Sequence, residues 1–292
     1  MKGIQKQTAP LLVIGAGICW GIIGLFSKQL AALGFSPIQI TFGRSVVTAV
    51  VMVLAMLCQS PRQFAISWRD SWMFLGTGLC SIVFFNVCYF TAMELTTLSM
   101  AAILLYTAPS IVMVLSVILF KEAFTTRKAV CLLLSFIGGV FVSGLGMGPL
   151  HVPGILAGLG AGLGYALYSI FGRYALTKYS PMTVTAWTFC VASAGLAGFS
   201  HIQTMMDIFI TVPEVGILFL CLGILSTALP FILYTTALHD MEAGKASILA
   251  SVEPLTSTIL GITVFHETLS VWHGCGIFCI LGAVVLLNMK NN

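Results

Sequence analysis

The sequence predicts an all-α integral membrane protein: ten transmembrane helices formed by two inverted five-helix repeats around a central cavity. Three observations predict it. Of 292 residues, 59% are hydrophobic and only 8% charged, with a mean hydropathy of +1.05. A soluble domain carries about 25% charged residues. Ten apolar segments follow one another with short connections, and crossing a bilayer takes roughly 20 apolar residues. Residues also recur at a fixed offset of 145 positions across most of the chain, the mark of a duplicated unit. The alternating short segments of a lipid-facing barrel are missing, so the spans read as helices.

The segments run near 10–31, 37–58, 72–93, 98–120, 127–146, 152–174, 181–200, 213–237, 245–265 and 271–289. The leading MKGIQKQTAP is short and basic, and the apolar run after it exceeds a signal-peptide core, so the first span is read as retained. That span carries Gly17-x-x-x-Gly21 beside Trp20, and Lys28 near its end. The second carries Arg44 about two turns inside. The third places Asn86 one turn before Tyr89, on the same face.

The fourth span lies in Ala101–Glu122, AAILLYTAPSIVMVLSVILFKE, and the ninth in Ala246–Glu267, ASILASVEPLTSTILGITVFHE. Ala101, Ile103, Leu104, Pro109, Phe120 and Glu122 each recur 145 positions later. Pro109 and Pro254 each remove a backbone hydrogen bond. Broken helices at these matched places would expose backbone dipoles near mid-membrane, where carriers place substrate; a plain kink is the alternative. In the ninth span, Ile248, Val252, Leu255, Ile259 and Ile262 form an apolar stripe suited to lipid. Ala246, Ala250, Glu253, Ser257 and Gly261 form a small, polar stripe expected to face inward, because a carboxyl facing hydrocarbon has no partner.

The same offset relates Trp20 to Tyr165, Lys28 to Arg173 and Tyr89 to Tyr234. A turn-like cluster, Gly146-Met147-Gly148-Pro149, divides a first repeat, 1–147, from a second, 148–292. The sixth span has Gly154, Gly158 and Gly162 at spacings of four, with Gly160 and Gly164 on a neighbouring row. Such rows let helices approach closely. They miss the G-x-G-x-x-G pattern and follow no strand, so they are not a dinucleotide loop.

Eleven of the thirteen Lys and Arg residues fall on one side if the N-terminus is cytoplasmic: Lys2, Lys6, Arg62, Arg69, Lys121, Arg127, Lys128, Arg173, Lys178, Lys245 and Lys290. Lys28 alone falls on the outer side, and Arg44 lies within a span. Positive charge favours the inside, so both termini are expected in the cytoplasm and the protein in the cell (inner or plasma) membrane. Five spans per copy is an odd number, so the second copy enters from the opposite side. Inverted repeats suit alternating access.

The nine cysteines lie in or beside apolar segments without a Cys-x-x-Cys, and read as small buried side chains rather than disulfides or metal ligands. His266-Glu267 begins like H-E-x-x-H, but Ser270 stands where the second histidine belongs. There is no G-x-S-x-G, no Walker loop and no basic run suited to nucleic acid. No enzyme chemistry and no cofactor is implied.

In the order Trp20-Gly21, Lys28, Arg44, Pro109 and Glu122, then Tyr234-x-x-Ala237-Leu238, Glu253-Pro254, Glu267 and Gly282, the chain resembles the EamA family of the drug/metabolite transporter superfamily over nearly its whole length. It departs from that pattern at Tyr165, where the family often has Trp, and at Ala108, where the acid preceding Pro254 has no equivalent. The resemblance implies a secondary carrier with a central cavity, commonly an exporter of amino acids or other small metabolites.

The candidate cavity residues are Trp20, Asn86, Tyr89, Tyr106, Tyr165, Tyr168, Tyr234 and Glu253. Tyrosine hydroxyls in lipid need partners, which favours inward positions; as a group they suit a partly apolar metabolite. Glu253 reads either as a substrate or proton partner or as a structural acid at the proline break. Arg44 reads as an inter-helix anchor or a side chain reaching the headgroups, ahead of a substrate-carboxylate ligand. For Lys28 the headgroup reading is stronger still. Glu122 and Glu267 read as interface or gate contacts. The partners expected are a small-molecule substrate, protons as coupling ion, and the bilayer. The expected function is secondary-active export of small metabolites. An uptake carrier or exchanger is the alternative, and an intramembrane enzyme or passive channel the rival class.

Overall fold

A computed structural model describes residues 2–59, 61–143, 151–266 and 270–289, and of residues 2–7 the backbone alone. The expected repeat boundary at Gly146–Pro149 and the contact expected of Glu267 lie outside the described residues. Within them the chain is all-helical, with no strand. The helices are α1 (Thr8–Ala32), α2 (Pro37–Gln59), α3 (Trp68–Leu95), α4 (Leu98–Phe120), α5 (Thr126–Ser143), α6 (Val152–Ala175), α7 (Pro181–Ala197), α8 (Ile202–Thr211), α9 (Val215–Asp240), α10 (Ala243–Thr263) and α11 (Val271–Asn288). Among the described residues, nine of these are long and apolar enough to cross a membrane; α7 and α8 together make a further candidate, bent by 100°.

That bend corrects the short connection expected between the segments 181–200 and 213–237. The ten residues of α8 are too few to span, at about 1.5 Å per residue. They form a helix because apolar side chains recur at helical spacing. Met205 is buried, while Ile202, Met206 and Ile210 are exposed on another face.

Local chemistry starts the helices where the spans begin. Ser36 and Gln39 form a reciprocal cap on α2: Ser36 N–H donates to Gln39 Oε1 at 2.8 Å, and Gln39 N–H to Ser36 Oγ at 3.3 Å. Thr97 caps α4, Ser180 caps α7 ahead of Pro181, and Ser270 caps α11.

α4 and α10 are both broken. α4 stops at Leu105 and resumes at Ala108; α10 stops at Leu249 and resumes at Val252. Pro109 and Pro254 stand in the first turns of the resumed pieces, where a missing N–H costs least. α3 and α9 each contain a π-helical stretch, Gly76–Val83 and Ile224–Ala228, the second ending two residues before Pro230.

Close glycine approaches hold the broken helices. A Cβ on Gly17 of α1 would stand 3.2 Å from the Ala250 carbonyl, and one on Gly162 of α6 would stand 3.1 Å from the Leu104 carbonyl. So α1 packs on the break in α10, and α6 on the break in α4. The pairs α1 with α9 and α3 with α6 flank these, α2 meets α7, and α5 meets α11.

The expected lipid stripe of α10 is corrected. Ile248, Val252 and Leu255 are buried, and Ile259 alone of the five is well exposed. α10 lies inside the bundle among α1, α4, α5 and α11, so both of its faces meet protein. The small stripe meets α1: Ser257 Oγ donates to the Gly21 carbonyl at 3.1 Å.

Candidate functional site

A cavity of about 480 Å³ lies between α1, α2, α3, α4, α6, α9 and α10. Trp20, Lys28, Arg44, Asn86, Tyr89, Tyr165, Tyr168, Tyr234 and Glu253 all line it. Tyr106 does not. It follows Leu105 at the break in α4, where the chain changes course, and its ring lies over Gly139 of α5. Pro109 and Pro254 are not in the wall either; Pro254, next in sequence to Glu253, is buried.

One polar group comes from α10 and α6. The break exposes Glu253 to the cavity, and Tyr165 Oη donates to its Oε2 at 3.2 Å. A second group comes from α2 and α3. Thr41 Oγ1 donates to Asn86 Oδ1 at 3.2 Å, Arg44 Nη2 approaches the same oxygen at 3.5 Å, and Asn86 Nδ2 donates to the Ile82 carbonyl at 2.7 Å. Arg44 is buried and walls the cavity, so the reading that sends it to the headgroups is set aside. Its guanidinium carries five donors, and Asn86 is its single side-chain hydrogen-bond partner among the described residues.

Aromatic rings fill the space between these groups. Trp20 lies edge-on to Phe231 at 5.2 Å and near Tyr234 at 5.4 Å; Phe85 meets Tyr89 at 5.8 Å and Tyr165 at 5.7 Å. Tyr168 Oη pairs with Thr235 Oγ1, and Tyr234 Oη with Ser169 Oγ, both at 2.7 Å. The buried hydroxyls are thus satisfied, which leaves the rings as firm walls. Ser257, from the stripe expected to face inward, also lines the cavity, as do Thr41, Phe85 and Phe231, which the sequence does not mark. Thr41 is one turn from Arg44, and Phe231 one turn from Tyr234, so helical spacing could have found both.

The cavity opens at one end. Lys28, Ala31, Pro37 and Leu98 line it there, at the end of α1 and the starts of α2 and α4. Lys28 Nζ sits 3.8 Å from the Phe265 ring centroid. The other end is closed by direct bonds. Glu122 Oε1 accepts from Ala243 N–H at 2.9 Å and its Oε2 from Gly244 N–H at 3.2 Å. Arg173 Nη1 donates to the Leu238 carbonyl at 3.2 Å and also to that of Met241. Asp70 accepts from Lys178 Nζ at 2.6 Å and Tyr179 Oη at 2.8 Å. This closed end carries Arg62, Lys121, Arg127, Lys128 and Lys245.

Such a cavity can hold a small molecule with an apolar body and a polar head. The acid and the guanidinium lie in one wall system with aromatic surface around them. No group of three or more His, Cys, Asp or Glu among the described residues could hold a metal ion.

Fold and site together define a helical, multi-pass membrane protein with a lined cavity at its centre. The chain belongs to the EamA-like transporter family, whose profile matches it twice, over residues 7–144 and 152–289. It is 32% identical over 212 residues to an "Uncharacterized transporter" of Archaeoglobus fulgidus, covering 72% of this chain and 74% of that one. It is 22% identical over 262 residues to "Aromatic amino acid exporter YddG" of Ancylobacter novellus, covering 88% of each. It is 22% identical over 300 residues to "Uncharacterized transporter YetK" of Bacillus subtilis, covering 99% of this chain and 88% of the other. A solved structure superposes with a TM-score of 0.81 at 20% identity, over 97% of this chain and 96% of the other, a likeness of fold.

Proposed function

We propose that the protein is a secondary carrier that exports a small metabolite by alternating access. Its substrate has an aromatic or other apolar body and a charged head, as an amino acid does. The observation that carries this reading is the cavity itself: Glu253 and Arg44 stand in one wall system with Trp20, Tyr89, Tyr165 and Tyr234 between the two halves of the chain. The Arg44 guanidinium suits a substrate carboxylate, and the rings suit an apolar body. Export and the amino-acid class also draw on the relative named an aromatic amino acid exporter.

Ten spans in two inverted five-helix units, residues 1–147 and 148–292, supply the moving parts. Three features support this. The helix breaks at 106–107 and 250–251 are related by about the 145-residue offset, and so are the π-helical stretches. Helix contacts pair in the same way: α1 with α9 answers α6 with α3, and α1 with α10 answers α6 with α4. The family profile matches the chain twice. With the basic end cytoplasmic, both termini lie in the cytoplasm and the cavity opens outward. Protons serve as coupling ion through Glu253.

The test is counterflow in liposomes, with amino acids and related metabolites screened with and without a pH gradient. Saturable counterflow supports the carrier. Non-saturating flux would make the protein a channel, and turnover without vectorial movement an enzyme.

A further inference from the structure

A second cavity, of about 660 Å³, lies at the basic end, between the start of α5, the end of α11 and the α9–α10 turn. Arg127, Lys128 and Lys245 line it, with Glu242 as the one acid among the described residues. Lys128 is buried; its Nζ donates to the Ala123 carbonyl at 2.6 Å and meets Glu242 Oε2 at 2.7 Å. Lys245 Nζ reaches the same carboxylate oxygen at 3.2 Å, and Arg127 Nη1 donates to the Met289 carbonyl. One carboxylate therefore serves two ammonium groups, and the guanidinium is left with a neutral acceptor. Among the described residues, three cations against one acid leave an excess of two positive charges, which an anion would relieve.

The surface beside the pocket says what kind of anion fits. Val130 and Leu133 follow Arg127 along α5, and Val285 precedes Met289 on α11; all three are exposed. Exposed apolar side chains thus stand within about two turns of Arg127 on α5 and one turn of Met289 on α11, the two helices that supply the hollow. A free anion would use the hollow only. A zwitterionic headgroup would bring its own cation into a site already positive. We propose that this pocket binds the phosphate of an anionic phospholipid, with an acyl chain lying over Val130, Leu133 and Val285. Arg127 and Lys245 supply most of the phosphate contact, and Lys128 stays on Glu242.

The test uses the purified full-length protein in detergent, titrated with phosphatidylglycerol or phosphatidylcholine, with retained lipid read by native mass spectrometry. Each basic side chain near a headgroup favours an anionic lipid about fivefold, so a preference of at least about that size is expected. Arg127→Gln with Lys245→Gln should abolish it, and Arg62→Gln, on the exposed 61–64 turn, should leave it intact. Equal retention of both lipids by the unaltered protein, or equal loss in Arg62→Gln, would overturn the site. Millimolar inorganic phosphate is the second arm. Retention through it supports the lipid; full displacement by it overturns the tail contact and leaves a free-anion site. If the double variant does not fold, Lys245→Gln alone, at a half-exposed position, must lower the preference severalfold. The readout involves no transport, so it stands apart from the carrier reading.

Discussion

Lys28 and Arg173 stand 145 residues apart, and each lies against a phenylalanine related to the other's by the same offset. Lys28 Nζ is 3.8 Å from the Phe265 ring centroid, and Arg173 Cζ is 5.9 Å from that of Phe120. The two pairs occupy opposite ends of the bundle and differ in one respect. Lys28 lines the open mouth, whereas Arg173 also binds the Leu238 and Met241 carbonyls at the closed end. Arg173→Gln removes that charged donor, worth about 1.5–3 kcal/mol. The closed end should then open more often. In a background cleared of native cysteines, Ser169→Cys should react about tenfold faster with an impermeant thiol reagent added from the basic side. Unchanged labelling would separate Arg173 from closure.

Glu122 bears on the same closure through the backbone. Its two oxygens accept the first N–H groups of α10, and the residue is buried. Glu122→Ala leaves both donors without their acceptor, at a cost of about 1–3 kcal/mol in stability. Glu122→Gln keeps one good acceptor and should cost less. Thermal unfolding in detergent measures both, and equal midpoints for the two variants would contradict the capping role.

Much of this architecture is readable in the chain, and the parts that are not have physical reasons. Pro109 and Pro254 mark the breaks because proline cannot donate, whatever surrounds it. Glu253 points inward because burial toward hydrocarbon would leave it without a partner. Arg44 is different: its depth in α2 suits headgroup, helix neighbour and cavity alike, and only the placement of Asn86 on α3 decides among them. Tyr106 reads as a cavity residue from its type, but it sits at a break, where helical spacing no longer says which way a side chain points. The burial of Ile248, Val252 and Leu255 depends on how many neighbours α10 has, which no periodicity encodes. α8 escaped because ten residues are too few to register as a span.

Glu253 separates coupling from binding. Gln keeps the size and a hydrogen-bond acceptor for Tyr165, but it cannot exchange a proton. Glu253→Gln should therefore lower transport driven by a pH gradient at least about tenfold while counterflow stays within about twofold. Equal loss of both activities would make the residue a substrate ligand or a structural acid.

Glycine at the α5–α11 contact matters more than glycine elsewhere on α11. A Cβ on Gly276 would stand 2.7 Å from the Gly138 carbonyl, and one on Gly138 would stand 2.9 Å from the Gly276 carbonyl. Backbone cannot give way as a side-chain tip can, so Gly276→Ala should cost about 1–3 kcal/mol. A Cβ on Gly282 meets nothing within 4 Å. Gly282→Ala should be neutral or stabilising by up to about 1 kcal/mol, since alanine is the better helix former. Unfolding midpoints for the two variants give the comparison directly, and an equal cost would rule out the close approach as its source.

Glu242 sets a pH limit on the tie between α5 and the α9–α10 turn. Burial pushes its carboxyl up, but Lys128 and Lys245 outweigh that and hold it below the ordinary carboxylate value. Arg127, across the same pocket, adds positive charge on that side. A carboxylate depressed in the folded state contributes stability that is present above its unfolded value, about 4.3, and is lost as pH falls through the folded one. Glu242→Gln removes the contribution at every pH. The midpoint difference between the unaltered protein and Glu242→Gln should therefore stay constant from about pH 5 to 8 and shrink below about pH 4. A difference that instead vanished on the alkaline side, with the lysines still charged, would mean that the carboxylate is not what ties the two segments together.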